Sequence, residues 1–145
     1  MRRAKKLAFV SLTLVFLIAS LCQSASAIEL SPRASLYLNG YGAGIYPGST
    51  AGAVYIEFTV TATRPSDYVG VSELIIYKSS GVRAATITGT VSNGLLRKDA
   101  TAFLGSYTYY GEPGGKYYAV LTMYAERDGG SDSREYLTTT CTAPS

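Results

Sequence analysis

The chain has 145 residues and a formal net charge of +3, with 13 tyrosines, two cysteines, no histidine and no tryptophan. Without histidine, catalytic triads built on a histidine base are excluded, and two cysteines are too few for the usual structural zinc sites. Residues 28–145 carry nine basic against ten acidic side chains, so a positive surface for nucleic acid is not expected.

The first 27 residues have the three parts of a secretory signal peptide. Four basic residues open the chain: Arg2, Arg3, Lys5 and Lys6. An apolar run of 16 residues follows at 7–22, and Ala25-Ser26-Ala27 matches the small-x-small site that signal peptidase cuts. The run is shorter than the roughly 20 residues that a membrane-spanning helix needs. We therefore expect a helical signal peptide that is removed after Ala27, and a secreted protein with no membrane segment after cleavage.

Two alternatives to cleavage stay open, an uncleaved membrane anchor and a lipoprotein. A lipoprotein would carry its lipid on Cys22, but Leu21 stands before it, where a small residue is usual. Against an anchor, no charged cluster that would stop transfer follows the apolar run.

The residues after the signal are expected to form a short segment, 28–34, and one domain, 35–145. Their 118 residues are enough for a single hydrophobic core. Seven strands are predicted, at 35–46, 53–63, 68–78, 82–91, 102–110, 116–126 and 134–142. No segment after residue 27 has the 3.6-residue apolar period of a helix.

Two of these strands alternate clearly between apolar and mostly polar positions, which indicates one buried and one wet face. The predicted inward residues are Val54, Ile56, Phe58, Val60 and Ala62 in the first, and Tyr117, Ala119, Leu121, Met123 and Ala125 in the second. Arg64-Pro65-Ser66-Asp67 is expected to end the first of them. Strand 68–78 has apolar residues on both faces, so its core side stays open.

Short strands at regular spacing favour an all-β fold, an antiparallel β-sandwich of about seven strands, with a small β-barrel as the alternative. Tyr117 lies two residues before the inward Ala119 and just after Gly114-Gly115. This placement is similar to the tyrosine corner of immunoglobulin-like sandwiches. The Cys…Trp…Cys pattern of antibody domains is absent, so the likeness is to the general sandwich.

The chain resembles small exported bacterial domains of unknown function. The matching features are the signal, the segment Pro32-Arg33-Ala34-Ser35, the strand at 53–63, and the strand from Tyr117 to Glu126 that leads into 127–134. The resemblance implies an immunoglobulin-like shape and a bacterial secretory context, and it implies no activity.

The remaining residue types offer little catalytic chemistry. We therefore expect that the protein is not an enzyme and that it binds no cofactor and no metal. A serine–lysine pair at Lys78-Ser79-Ser80 and a calcium site at Asp128 and Asp132 are weaker alternatives, because neither completes a known spacing. Glu57 and Glu73 could form a carboxylate pair, but alternation places Glu57 on the wet face.

The tyrosines are the strongest indication of a binding surface, because rigid amphipathic rings give contact area at a small entropic cost. The candidate binding residues are Tyr55, Tyr107, Tyr109, Tyr118 and Tyr124. Alternation turns the rings at 55, 118 and 124 away from the core, whereas the facing of 107 and 109 is ambiguous. The expected partner is an unknown protein or a glycan at the cell surface.

Three functions are compatible with the sequence. The first is a secreted, non-catalytic binding or interaction module. The second is a structural or self-associating extracellular protein, for which the lone Cys141 could form an intermolecular disulfide and a homodimer. The third is a small secreted enzyme or enzyme inhibitor.

We predict that the exported protein begins at Ile28, because the small-x-small site follows directly after the apolar run. Its N-terminal sequence and intact mass, measured on protein recovered from the culture medium, check this. An intact Met1 or a lipid on Cys22 would contradict it.

Overall fold

The computed structural model describes residues 35–145, and the predicted signal peptide and the segment 28–34 lie outside these residues. The described residues form one antiparallel sheet of seven strands. The strands are β1 (Leu38–Pro47), β2 (Ala53–Lys78), β3 (Arg83–Thr88), β4 (Leu96–Tyr110), β5 (Lys116–Arg127), β6 (Gly130–Leu137) and β7 (Cys141–Thr142). The prediction of an all-β, antiparallel fold is confirmed.

The strand β2 is the centre of the sheet, because it pairs with four other strands. Its first half lies between β1 and β4, and its second half has β5 on one side and β3 with the start of β4 on the other. The prediction that Arg64-Pro65-Ser66-Asp67 ends the strand is therefore wrong. The pairing with β4 is interrupted between Thr61 and Ser66. Proline has no N–H, but at Pro65 the interrupted ladder with β4 does not need one.

The core lies on the inner face of the sheet, as the two clear alternations predict. All ten predicted inward residues are buried, with Phe58 1% exposed and Leu121 fully buried. In the second half of β2 the register with β5 shifts between Val71 and Glu73, which marks a β-bulge at Ser72. The bulge advances the alternation by one residue, so Val71 and Leu74 both face the core.

The sheet curls into a half-barrel, which brings β1 beside β5, β6 and β7 although it pairs only with β2. We call the contact of β6 with β1 and with residues 35–37, which lead into β1, the seam. The Asp132 carboxylate accepts hydrogen bonds across it from the Ser35 hydroxyl at 2.6 Å and from the Tyr37 N–H at 2.7 Å. The rings of Tyr41 and Tyr136 meet edge to face, with centroids 6.4 Å apart.

One end of the core is closed around Tyr117, which is 1% exposed. Its hydroxyl accepts a hydrogen bond of 2.7 Å from the Glu112 N–H, five residues upstream, which is the bond expected of a tyrosine corner. The ring lies so close to Gly111 and Gly115 that a Cβ at either position would collide with it. The Tyr109 ring packs on it edge to face, at 5.5 Å between centroids.

We predict that Phe58→Ala and Leu121→Ala each lower the free energy of unfolding by about 2–5 kcal/mol, because each leaves a cavity in the core. Thr59→Ala is the matched control, because Thr59 is the exposed neighbour of Phe58 on the same strand. Urea unfolding of the three variants measures the difference, and equal stability of all three would show that the inner face is misassigned.

We predict that Asp132→Asn weakens the seam at neutral pH by about 1 kcal/mol, because its hydrogen bonds are charge-assisted. The Ser35 hydroxyl is the main cause that lowers the pKa of Asp132 below the ordinary 3.8. This contribution to stability is therefore present above the ordinary pKa and is lost as the pH falls through the lowered value.

Unfolding free energies at pH 7 and about pH 3 test this prediction, since the deficit of the variant should shrink in acid. The control is Glu135→Gln, an exposed carboxylate on the same strand. A deficit that does not change with pH would contradict the assignment.

Candidate functional site

Two tyrosines stack on the outer face of the sheet. Tyr77 of β2 lies directly opposite Tyr118 of β5, and their rings are nearly parallel, at 5.2 Å between centroids and 10° between planes. The guanidinium of Arg83, the partner of Tyr77 on β3, lies 5.9 Å from the centre of the Tyr77 ring. Arg83, Tyr77 and Tyr118 thus follow one another across three neighbouring strands.

A groove of about 540 Å³ begins at this pair of rings. We call it the Tyr118 groove; it is lined by Tyr77, Tyr118, Val120, Leu137, Thr138 and Thr140. Leu137 is 63% exposed, which is a large exposure for an aliphatic side chain beside an aromatic pair. The groove therefore offers an uncovered apolar wall next to two tyrosines.

The groove exists because the edge strand beside β5 is irregular. Val120 pairs with Leu137, and Tyr117 pairs with Cys141, so the three residues 138–140 stand opposite only two residues of β5. Thr138 holds this bulge in place, because its N–H donates to the Ala119 carbonyl and its hydroxyl accepts from the Ala119 N–H, both at 2.9 Å. The chain bows away from β5 at this point and leaves space beside Tyr118.

The lining of the Tyr118 groove has a simple chemistry. It combines phenol rings, two aliphatic side chains and two threonines, and these six side chains include no carboxylate, ammonium or guanidinium group. Such a surface suits an uncharged ligand that has a flat apolar face and hydroxyl groups at its rim.

The structure places the five predicted tyrosines at four separate positions. Tyr118 lines the groove, and the hydroxyl of Tyr124, on the same outer face, donates to Glu126 at 2.6 Å. Tyr55 is on the outer face of the other half of the sheet, opposite Tyr46 of β1.

The other two predicted tyrosines, Tyr107 and Tyr109, lie on the inner face. They pair with the buried Ile56 and Val54 and pack against the core. The five side chains therefore do not form one surface, because the register of β4 on β2 turns two of them inward.

Sequence reasoning missed Tyr77, because strand 68–78 is apolar on both faces. Strict alternation from Val71 would send Tyr77 into the core. The bulge at Ser72 reverses this and turns the ring outward, opposite Tyr118. The register shift that decides its position depends on the pairing with β5 and is not visible in the local pattern.

Cys141 is 8% exposed and belongs to the core cluster. Burial raises the pKa of its thiol, which lowers the thiolate fraction available for exchange. A disulfide between two copies would require this buried thiol to become accessible. The intermolecular disulfide stays a prediction.

The weaker catalytic and metal candidates are engaged in other contacts. Lys78 forms an ion pair of 2.7 Å with Glu112, whose hydrogen bond raises the lysine pKa, whereas a general base needs a lowered one. Asp132 holds the seam, and Arg127 pairs with Asp128 at 3.1 Å. Within residues 35–145, no group of three carboxylate or cysteine side chains converges as a metal site would.

The comparisons with known proteins find similarity among solved structures alone. No family model and no curated protein matches the chain. The structure described as "X-ray structure of Northeast Structural Genomics Consortium target SoR45" is similar over 73% of this chain and 84% of that chain, with 12% sequence identity and a TM-score of 0.35. In residues 35–145 we find no helix of the length and apolarity that a membrane crossing requires.

Proposed function

We propose that this protein is a secreted, non-catalytic binding module whose ligand docks in the Tyr118 groove. The observation that carries the proposal is the ordered stack of Arg83, Tyr77 and Tyr118, which opens on one side into an uncovered groove. The stack holds the two rings before a ligand arrives, so little side-chain entropy is lost on binding.

The ligand that this surface favours is a neutral sugar ring of a cell-surface glycan. One face of Tyr118 is covered by Tyr77, so a pyranose would extend the stack from the groove side. Thr140 and the tyrosine hydroxyls provide partners for its hydroxyl groups, and Leu137 covers its apolar edge. A protein partner is the alternative, because tyrosine also anchors protein interfaces.

Two further parts of the proposal rest on the sequence together with local structure. Export is supported by the signal-peptide pattern of residues 1–27. An immunoglobulin-like sandwich is supported by the hydrogen bond of the Tyr117 corner and by the two halves of β2, which have different neighbours. In that arrangement the Tyr118 groove would lie on the outer face of one layer.

We predict that Tyr118→Ser weakens the binding of a neutral oligosaccharide by about tenfold, since one aromatic contact contributes about 1.4 kcal/mol. The experiment screens the purified protein on a glycan array and measures affinity for the best neutral oligosaccharide by calorimetry. Tyr124→Ser is the matched control, because Tyr124 is on the same strand and face but does not line the groove.

Tyr118→Ser should lower the free energy of unfolding by about 1 kcal/mol, because the stacking with Tyr77 is lost, and the protein should remain folded. Equal weakening by Tyr118→Ser and Tyr124→Ser would contradict a site in the groove. If the protein binds no neutral glycan but binds a protein partner through Tyr118, the groove is the binding site and the sugar proposal is wrong.

A further inference from the structure

One edge of the sheet is long and open. The strand β4 pairs with β2 over most of its 15 residues, and among residues 35–145 no strand pairs with its other side. The backbone N–H and C=O groups along that side are a template for another extended chain.

The other free edges of the sheet are protected in ways that natural proteins commonly use. The strand β1 ends at Pro47 and is covered at the seam, β3 has only six residues, and β6 carries charges at Asp132, Arg134 and Glu135. In β4 the stretch 100–110 has no charged residue and no proline. The charges of β4 are confined to Arg97, Lys98 and Asp99 at its start, so the edge along 100–110 is the one that lacks protection against pairing.

We infer that β4 pairs with β4 of a second copy of this chain, antiparallel and around a two-fold axis beside Leu104. Leu104 lies near the middle of the strand, on the outer face, and is 68% exposed. The axis would place this side chain against its own equivalent, which removes apolar surface from water on both copies.

Charge favours the antiparallel arrangement over a parallel one. Arg97 and Lys98 lie at one end of β4, so parallel copies in register would bring like charges together. Around Leu104, an antiparallel copy instead places the two sets of charges at opposite ends of the shared edge.

The two-fold axis also explains how pairing would stop at two copies. Each copy uses the same edge, so the contact is isologous and no open β4 edge is left. The other edges of the sheet are protected, so further copies cannot be added by strand pairing there. The expected product is a closed dimer whose sheet runs through both copies, and it needs no disulfide.

The first experiment measures the molar mass of the purified protein in reductant by light scattering, over a roughly hundredfold range of concentration. We expect a dimer that dissociates on dilution, and Leu104→Lys should shift the midpoint of dissociation by tenfold or more. Thr59→Lys is the matched control, because Thr59 is exposed and lies beside Leu104 on the neighbouring strand β2.

The second experiment tests the register with single cysteines in a background of Cys22→Ala and Cys141→Ala. Oxidation should crosslink Leu104→Cys between copies, because the two positions face each other across the axis. Thr108→Cys should stay uncrosslinked, because the two Cα atoms would be roughly 26 Å apart at 3.3 Å per residue.

A monomer at every concentration overturns the inference. So does a dimer whose dissociation midpoint is unchanged in Leu104→Lys, or one that crosslinks equally at both positions. If Leu104→Lys fails to fold by circular dichroism, the crosslinking pair decides. Tyr118→Ser should leave the dimer unchanged, so failure of the sugar-binding proposal and failure of this one are distinguishable.

Discussion

A single strand, β2, runs through both halves of the sheet, and the other strands are arranged around it. Along its 26 residues the partners change, from β1 and β4 in the first half to β5 and β3 in the second. The apolar residues of both halves then face the same interior. The positions of the core, the seam and the open edge of β4 all follow from this one continuous strand.

Two irregularities in strand pairing determine which side chains lie on the outer face and where the groove opens. The extra residue at Ser72 brings Tyr77 outside and opposite Tyr118, and the extra residue in 138–140 opens space beside that pair. Each bulge is a local mismatch of one residue in the ladder. Together they turn a regular sheet face into a groove with aromatic walls, so the candidate site depends on irregular pairing.

The tyrosines of this protein have two different roles. Tyr117 and Tyr109 pack inside, where the Tyr117 hydroxyl bonds the backbone of Glu112 and the glycines at 111 and 115 make room for its ring. Tyr77 and Tyr118 stand on the outer face, where both are half-buried and line the Tyr118 groove. The tyrosine content of the sequence is compatible with both roles, because tyrosine has both an apolar ring and a polar hydroxyl.

The local sequence pattern was enough to predict the all-β class and the facing of 53–63 and 116–126, because a two-residue apolar period is a local property of an extended chain. It also predicted the outward facing of Tyr55, Tyr118 and Tyr124. The same pattern did not predict that β2 passes through Pro65, that Tyr107 and Tyr109 face inward, or that Tyr77 stacks on Tyr118. These outcomes depend on which strands pair and where their registers slip, and pairing between residues far apart in the chain leaves no mark in the local pattern.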